Sequence, residues 1–220
     1  MDENLQDPLK PLNKIMVPDE RQNFFLGSLE GRHAELQNII LIGTVPLEVR
    51  QLFETSKNLS LYSWFVYRFH QVAELISFAA IEMALRERYL AENPIDSKSN
   101  QKTLNLYKLM QHAKKEKWLT NQGFSDLYAL AKHHAEYKKM IKKMETHDFA
   151  VAPSMPIDEP TQEEIQEALA GVDRVNAVAE NANKIRNDLA HGSSRLNPSS
   201  ISTLRLNADI INQIYSEQAL

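Results

Sequence analysis

The sequence predicts an all-α fold, a single bundle of about six helices that follows an irregular N-terminal arm. Apolar residues recur at helical spacing from about residue 44 onward, and no alternating apolar and polar pattern is long enough to build a sheet. The nine prolines and six glycines lie mainly between these periodic segments. A chain of 220 residues can bury one sizeable core, so we expect one helical domain over residues 44–220.

Residues 1–43 are assigned to the N-terminal arm because their pattern is the least regular in the chain. Asp19 and Glu20 can start a short helix, but Gly27 and Gly31 weaken its continuation. The apolar run 39–42 is short enough to be either a strand or an arm packed on a neighbour.

Prolines and glycines delimit the helices of the domain. The first helix is expected to begin near Pro46, since proline is favoured in the first helical turn, and to end near Lys57. A long apolar helix follows over about 59–91. The later helices are expected over 103–118, 123–145, 160–191 and from 197 onward, with a proline-rich linker over 146–160. Gly192 suits the left-handed position that ends a helix.

The long helix is unusual because one of its arcs mixes charged residues with aromatic ones. Arg68, Glu74 and Glu82 stand there among Trp64 and Tyr67. Burying a carboxylate costs free energy unless the group is paired or hydrogen-bonded. This arc is therefore expected to meet a second helix, a second subunit or a partly shielded cleft, and packing is the simplest role for its aromatic side chains.

The composition indicates a cytoplasmic protein that does not enter a membrane. The chain has no cysteine, which excludes disulfides, thiolate metal sites and cysteine nucleophiles and fits a reducing compartment. Residues 1–12 lack the apolar segment of a signal peptide. The most apolar stretch, 61–90, contains several charged residues, whereas a membrane span needs about 20 mostly uncharged ones.

The charge is unevenly distributed along the chain. The net charge is −4, but residues 102–145 contain ten lysines and four acidic residues. Charge separated in this way can create a basic face that attracts nucleic acid on an otherwise acidic protein. The alternative is two helices whose lysines simply face solvent.

Most signatures of enzymes and cofactor sites are absent. The sequence contains no glycine-rich phosphate loop and no Gly-x-Ser-x-Gly elbow. His133 and His134 are adjacent, so their side chains leave a helix about 100° apart and make a poor metal site. We therefore predict neither a metal nor a cofactor.

The hexapeptide Arg186-Asn187-Asp188-Leu189-Ala190-His191 carries the most specific chemistry in the chain. With a rise of about 1.5 Å per residue, Arg186 and His191 lie about 7.5 Å apart along a helix axis, and a ring at the helix end can swing back toward the arginine. Histidine transfers protons near neutral pH, and arginine can hold a phosphate through two parallel hydrogen bonds. With Asn187, these groups suit metal-independent cleavage of a phosphodiester.

This segment resembles the hallmark of the HEPN superfamily, an Arg followed after four to six residues by a His, often with a polar residue just after the Arg. Arg186, Asn187 and His191 match its four-residue form. The predicted helical architecture is similar to that of the family over about residues 45–215. The segment 61–69, Leu-Tyr-Ser-Trp-Phe-Val-Tyr-Arg-Phe, resembles uncharacterised bacterial relatives.

The resemblance implies a homodimeric endoribonuclease in which a 2′-hydroxyl of RNA attacks its own phosphate. By that resemblance, His191 is the acid or base, Arg186 holds the phosphate, and Asn187 orients one of them. An acid on the long helix often completes such sites, and Glu74 or Glu82 is the candidate. The two lie about 12 Å apart along the axis, so only one is expected to serve.

One residue departs from the family pattern, and two alternative functions accompany this interpretation. In a HEPN subgroup paired with small nucleotidyltransferases, a Tyr stands two places after the motif His, where this chain has Ser193. That pairing is therefore not expected, and a toxin-like or phage-defence enzyme would need another antitoxin or regulator. The alternatives are a HEPN-like module that binds RNA, a nucleotide or a protein without cleavage, and a purely structural helical dimer.

Overall fold

The computed structural model describes residues 7–24, 27–93, 104–147, 154–156, 158–192 and 197–216. Within these ranges the chain forms eight α-helices and no β-strand, which confirms the all-α class, although about six helices were predicted. The helices are α1 (Leu29–Gln37), α2 (Leu47–Tyr62), α3 (Phe69–Glu92), α4 (Leu106–Lys115), α5 (Leu127–Met144), α6 (Gln162–Gly171), α7 (Arg174–Ala190) and α8 (Ser200–Ile214). Short 3-10 turns cover Leu12–Lys14, Glu20–Phe24 and Asn121–Gly123.

Several helix boundaries differ from the predicted ones. α2 does not end near Lys57 but continues to Tyr62, because no proline or glycine interrupts it there. The predicted helix over 160–191 is divided into α6 and α7 at Val172 and Asp173. The Asp173 side chain accepts the backbone N–H of Asn176 at 2.9 Å and starts a new helix. The last helix begins at Ser200 rather than at Asn197.

α3 lies at the centre of the main bundle, which we define as α1–α4, α7 and α8. Its buried face packs mainly on α2 and α8 and also on α7 and α4. The largest fully buried side chains of this bundle include Phe53, Ile81, Leu85, Met110 and Ile211.

The described part of the N-terminal segment joins this bundle. Leu36 and Ile39 are buried in the same core, and the run 39–42 forms no strand. The Asn212 side chain bonds to the backbone of Ile40 and Ile42, each at 2.9 Å.

α5 and α6, the lateral pair, pack on each other around a separate small cluster. Its buried residues are Ala131, Ala135, Ile165 and Val172. The pair is joined to the main bundle through Arg174, whose guanidinium lies 2.5 Å from the Asp126 carboxylate. Among the described residues, no helix has the length and apolar character needed to cross a membrane.

Candidate functional site

The hexapeptide lies at the C-terminal end of α7, where Gly192 stops the helix. Gly192 has φ +85°, a left-handed conformation that glycine adopts with little strain. His191 is the residue that caps the helix, and its backbone N–H donates to the Asn187 carbonyl at 2.9 Å. The His191 side chain is thus carried on the last residue before the turn, and it is exposed to solvent.

The Arg186 side chain extends from α7 toward α3. Its guanidinium donates to the Glu82 carboxylate at 3.4 Å and to the Asn187 side-chain oxygen at 3.3 Å. Both contacts are long for hydrogen bonds of a charged group, and 38% of the Arg186 side chain remains exposed. The guanidinium is therefore held in place but remains available to an incoming anion.

Glu82 stands between two arginines. One carboxylate oxygen accepts from Arg86 at 2.9 Å, and the other faces Arg186. Arg86 also donates to the backbone carbonyl of Leu104 at 2.6 Å, just before α4. The three-residue cluster thus joins α3, α7 and the segment that leads into α4.

Of the two acids proposed from the sequence, Glu82 is the one in contact with Arg186. Glu74 lies two turns earlier on α3, 8% exposed, and its carboxylate accepts the Ser199 hydroxyl at 2.7 Å. Burial raises the pKa of Glu74, although the hydrogen bonds from Ser199 and Thr203 partly oppose this shift. Glu74 therefore links the start of α8 to α3 through this hydrogen bond.

The His191 ring makes no hydrogen bond to the other candidate residues of its own chain. Positions five residues apart on a helix are about 140° apart around its axis. No hydrogen bond joins the His191 ring to Arg186, Asn187 or Glu82, all of which are described. The expected swing of the ring back toward Arg186 therefore stays a prediction. Ser193 lies outside the described residues.

Arg86 is the residue at this site that the sequence interpretation missed. In the sequence it was one of several charges that exclude a membrane span. The signal that could have identified it is the spacing of Glu82 and Arg86, four residues apart on one helix face. The contact with the Leu104 carbonyl had no such signal, because it depends on the packing of a distant segment.

A second polar cluster lies inside the bundle, around His70 of α3, which is 2% exposed. Its ring bonds to the Ser200 hydroxyl at 2.6 Å and to the Ser63 hydroxyl at 3.1 Å. Arg32 of α1 also donates to Ser63, at 2.6 Å. Burial, reinforced by the positive charge of Arg32, lowers the pKa of His70 to about 4. This histidine is therefore neutral at physiological pH and joins α1, α2, α3 and α8.

Part of the lysine-rich surface is neutralised by the lateral pair. Lys138 pairs with Glu167 at 2.8 Å and Lys139 with Glu164 at 3.1 Å. Lys143 donates to the backbone carbonyl of Pro156. The positive charge predicted from the sequence for 102–145 is thus partly balanced by acids of α6.

Neither a metal-binding group nor a comparison with known proteins assigns a further role to this site. The described residues include no group of three or more His, Asp or Glu side chains placed to hold a metal ion. No family model, no curated protein and no solved structure matches this chain. The interpretation of the site therefore depends on its own residues and their geometry.

Proposed function

We propose that this protein is a metal-independent endoribonuclease of HEPN type, toxin-like or defence-like, that acts on RNA in the cytoplasm. The observation that carries the proposal is the position of Arg186 and Asn187. They lie on the last two turns of a capped helix, with a half-exposed guanidinium held loosely by Glu82. A guanidinium in such a position can exchange a carboxylate for a phosphate, which offers the same bidentate geometry.

The proposed reaction needs no group beyond the RNA and the protein. The 2′-oxygen forms a bond to the adjacent phosphorus and loses its proton, while the bond from phosphorus to the 5′-oxygen breaks and that oxygen gains a proton. The products are a 2′,3′-cyclic phosphate and a 5′-hydroxyl. Arg186 stabilises the charge that develops on the phosphate. His191, whose side chain is exposed, transfers one of the two protons.

The proposal includes a homodimer, because no hydrogen bond joins Arg186 and the His191 ring within one chain. Two such helix ends that face each other would place the histidine of one chain near the arginine of the other. This arrangement is the one that the family resemblance implies, and it gives both exposed groups a partner.

The decisive experiment is incubation of total RNA with the protein in EDTA, followed by analysis of the fragment ends. Wild-type protein is expected to leave cyclic phosphates, and Arg186→Ala to lower the rate about 100-fold or more. His191→Ala is expected to lower it by a similar factor. Arg205→Ala is the matched control, because Arg205 is an exposed arginine on α8 whose ion pair with Glu35 is long, at 4.0 Å. Undiminished cleavage by Arg186→Ala would overturn the proposal.

One observation favours a second candidate, a module that binds RNA, a nucleotide or a protein partner without cleavage. It is the absence of a hydrogen bond between the His191 ring and Arg186. This candidate predicts that binding survives His191→Ala and that no product forms at any protein concentration. A purely structural dimer predicts instead that both positions tolerate alanine with no change in RNA binding.

A toxin-like role has its own test in cells. Induced expression of the wild-type protein is expected to arrest growth, and expression of Arg186→Ala at the same level is not. A protein that neutralises the wild type would be the antitoxin or regulator that the sequence does not identify. Growth arrest by both proteins would separate toxicity from the proposed site.

A further inference from the structure

Two polar contacts fix the direction and register of α4 against α7. The Gln111 side chain donates to the Glu180 carboxylate at 3.0 Å, and Lys114 donates to the Asn176 side-chain oxygen at 2.5 Å. A step forward along α4 thus corresponds to a step backward along α7, so the two helices are antiparallel. The α4 positions that face α7 recur at the spacing of a helical turn.

Tyr107 continues this face of α4 toward the candidate site. It lies one turn before Gln111, and Lys184 lies one turn after Glu180 on α7. In an antiparallel pair these two turns lie side by side, so Tyr107 is at the level of Lys184. Arg186 follows two residues later, about 3 Å further along the axis of α7.

A separate set of contacts places the same end of α4 beside the arginine. Arg86 of α3 donates to the Leu104 carbonyl at 2.6 Å, three residues before Tyr107 in the chain. Arg86 also shares the Glu82 carboxylate with Arg186. The beginning of α4 and the guanidinium of Arg186 are thus held at one end of the bundle by a common cluster.

The Arg186 guanidinium also reaches the side of α7 that faces α4. It donates to the Asn187 side-chain oxygen at 3.3 Å. Asn187 lies two turns after Glu180, on the same face of the helix. The phosphate-binding group and the Tyr107 ring are therefore separated by about one helical turn, a distance within the reach of one nucleotide.

The Tyr107 ring is available to a ligand. The residue is 42% exposed, and none of the described residues makes a hydrogen bond to its hydroxyl or a ring contact with it. Lys108 and Lys184 are also exposed and have no ion pair with a described acid. Proteins that bind single strands combine such features, because bases stack on aromatic rings while cations hold the backbone.

We propose that Tyr107 stacks on one unpaired base of the strand whose phosphate Arg186 contacts, so that the substrate is single-stranded RNA. A base inside a duplex is already stacked on its neighbours and does not present its face to a side chain. Stacking uses a face that every base has, so Tyr107 positions the strand without selecting a sequence. This assignment rests on the proposed function, because it takes the ligand of Arg186 to be a polynucleotide.

The test measures the binding of labelled oligo(dT) to the full chain by fluorescence anisotropy. A deoxy strand lacks the 2′-hydroxyl needed for the proposed cleavage, so it can bind without being cut. Tyr107→Ala is expected to weaken this binding about tenfold, because one stacked base is lost. Tyr107→Phe keeps the ring and should retain the wild-type affinity. Tyr137→Ala is the matched control, because Tyr137 is a 56% exposed tyrosine on α5, and it should not change the binding.

A strand of abasic deoxyribose phosphates with the same length separates stacking from charge. Arg186→Ala should weaken the binding of both strands, whereas Tyr107→Ala should weaken the binding of oligo(dT) alone. The affinity for an oligo(dA)–oligo(dT) duplex should not depend on Tyr107. No loss of oligo(dT) binding in Tyr107→Ala, an equal loss in Tyr107→Phe or Tyr137→Ala, or an equal loss on the abasic strand would overturn the assignment.

The failure of this assignment can be distinguished from the failure of the proposed function. RNA cleavage that requires Arg186, with oligo(dT) binding that does not depend on Tyr107, would leave the nuclease and remove the stacking site. Binding of oligo(dT) that depends on Tyr107, without RNA cleavage, would keep the stacking site and remove the nuclease. No binding of oligo(dT), together with no cleavage, would remove both.

Discussion

The main bundle and the lateral pair are both helical, but different interactions hold them. Among the described residues, the core of the main bundle contains 26 buried apolar side chains, against four in the cluster between α5 and α6. The Lys138–Glu167 pair of the lateral pair has both side chains more than 70% exposed. In the bundle, Glu82 is 20% exposed between Arg86 and Arg186.

This difference indicates where the molecule is rigid and where it can open. Burial of apolar surface stabilises roughly in proportion to its area, whereas exposed ion pairs contribute little. We therefore expect the lateral pair to open locally while the main bundle stays folded. The candidate site lies between α3 and α7 of the bundle, so its geometry is supported by the more stable of the two regions.

The largest expected effect comes from Phe53, which is fully buried in the main bundle. Phe53→Ala is expected to lower the free energy of unfolding by about 3–5 kcal/mol, because it leaves a cavity in the core. The measurement is urea denaturation monitored by circular dichroism.

Ile165→Ala is the counterpart in the lateral pair, and Phe53→Leu is the conservative control. Hydrogen exchange should accelerate in α5 and α6 of Ile165→Ala and remain unchanged in α3 and α8. Loss of protection in all helices together would show that the two regions unfold as one unit.

The next expected effect is a pH dependence of the free energy of unfolding that arises from His70 in the main bundle. The pKa of His70 is about 4 in the folded protein and 6.5 when the group is free. The unfolded chain therefore binds more protons between these values, and stability is complete above pH 6.5 and falls as the pH decreases toward 4. The loss attributable to His70 is on the order of 3 kcal/mol.

Comparison with His70→Gln by urea denaturation at several pH values isolates this contribution. The comparison is needed because Glu74, whose pKa is raised, acts in the opposite direction. If wild type and His70→Gln lose stability equally from pH 6.5 to 4, His70 is not the source of the effect.

The half-buried Glu82–Arg86 pair and the exposed Lys138–Glu167 pair can be compared directly through Arg86 and Lys138. Arg86→Ala removes one of the two arginines that pair with Glu82. The Glu82 carboxylate should then bind Arg186 more tightly, and the affinity of Arg186 for an oligonucleotide should fall. A coupling of this kind is worth about 0.5–3 kcal/mol, and we expect about a tenfold loss. Adding Glu82→Gln to Arg86→Ala should restore binding, and Lys138→Ala should not change it. Failure of the double variant to recover would mean that Arg86 acts independently of Glu82.

A smaller effect is expected at the N-terminus of α6. The Thr161 side chain accepts the backbone N–H of Glu164, and the Glu164 side chain accepts the backbone N–H of Thr161, which forms a capping box. Thr161→Ala should destabilise the lateral pair by about 1 kcal/mol. The measurement is hydrogen exchange in α6, and Thr161→Ser, which keeps the hydroxyl, is the control. Equal exchange rates in Thr161→Ala and Thr161→Ser would contradict the role of the cap.

The smallest expected effect is a stabilising substitution in the segment that connects the main bundle to the lateral pair. Lys117 follows α4 with φ +58°, a left-handed conformation that side chains other than glycine adopt at a cost. Lys117→Gly should therefore raise the free energy of unfolding by up to about 1 kcal/mol. Lys115→Gly, at the last residue of α4, should lower it by up to a similar amount. A decrease in both variants would show that chain entropy outweighs the relief of strain.

Local chemistry explains which parts of this molecule could be predicted. The capped ends of α6 and α7 follow from Thr161 and Gly192, because caps are formed by residues within one turn of the helix end. The division between α6 and α7 was missed, although Gly171 and Asp173 provided the signal. The extent of α2 was missed because charged and polar residues such as Lys57 and Asn58 are compatible with either a loop or a helix.

At the candidate site, the sequence identified Arg186, Asn187 and both acids but not how they are connected. It could not choose between Glu74 and Glu82, since both lie on the same helix and either could be buried. The placement of the His191 ring beside Arg186 stays a prediction, because a single turn of helix leaves the direction of a terminal side chain open. The sequence interpretation also overlooked the acids of α6 that face the lysines of α5.

The sequence by itself determined the all-α class, the helix end at Gly192 and the residues of the motif, because periodicity, capping and residue chemistry act over a few neighbouring positions. Only the tertiary structure decided that Glu82 contacts Arg186, that Glu74 links α8 to α3, and that Tyr107 lies beside the last turns of α7. These contacts join residues that are distant in the chain, and the packing of α4, α7 and α8 around α3 sets their geometry.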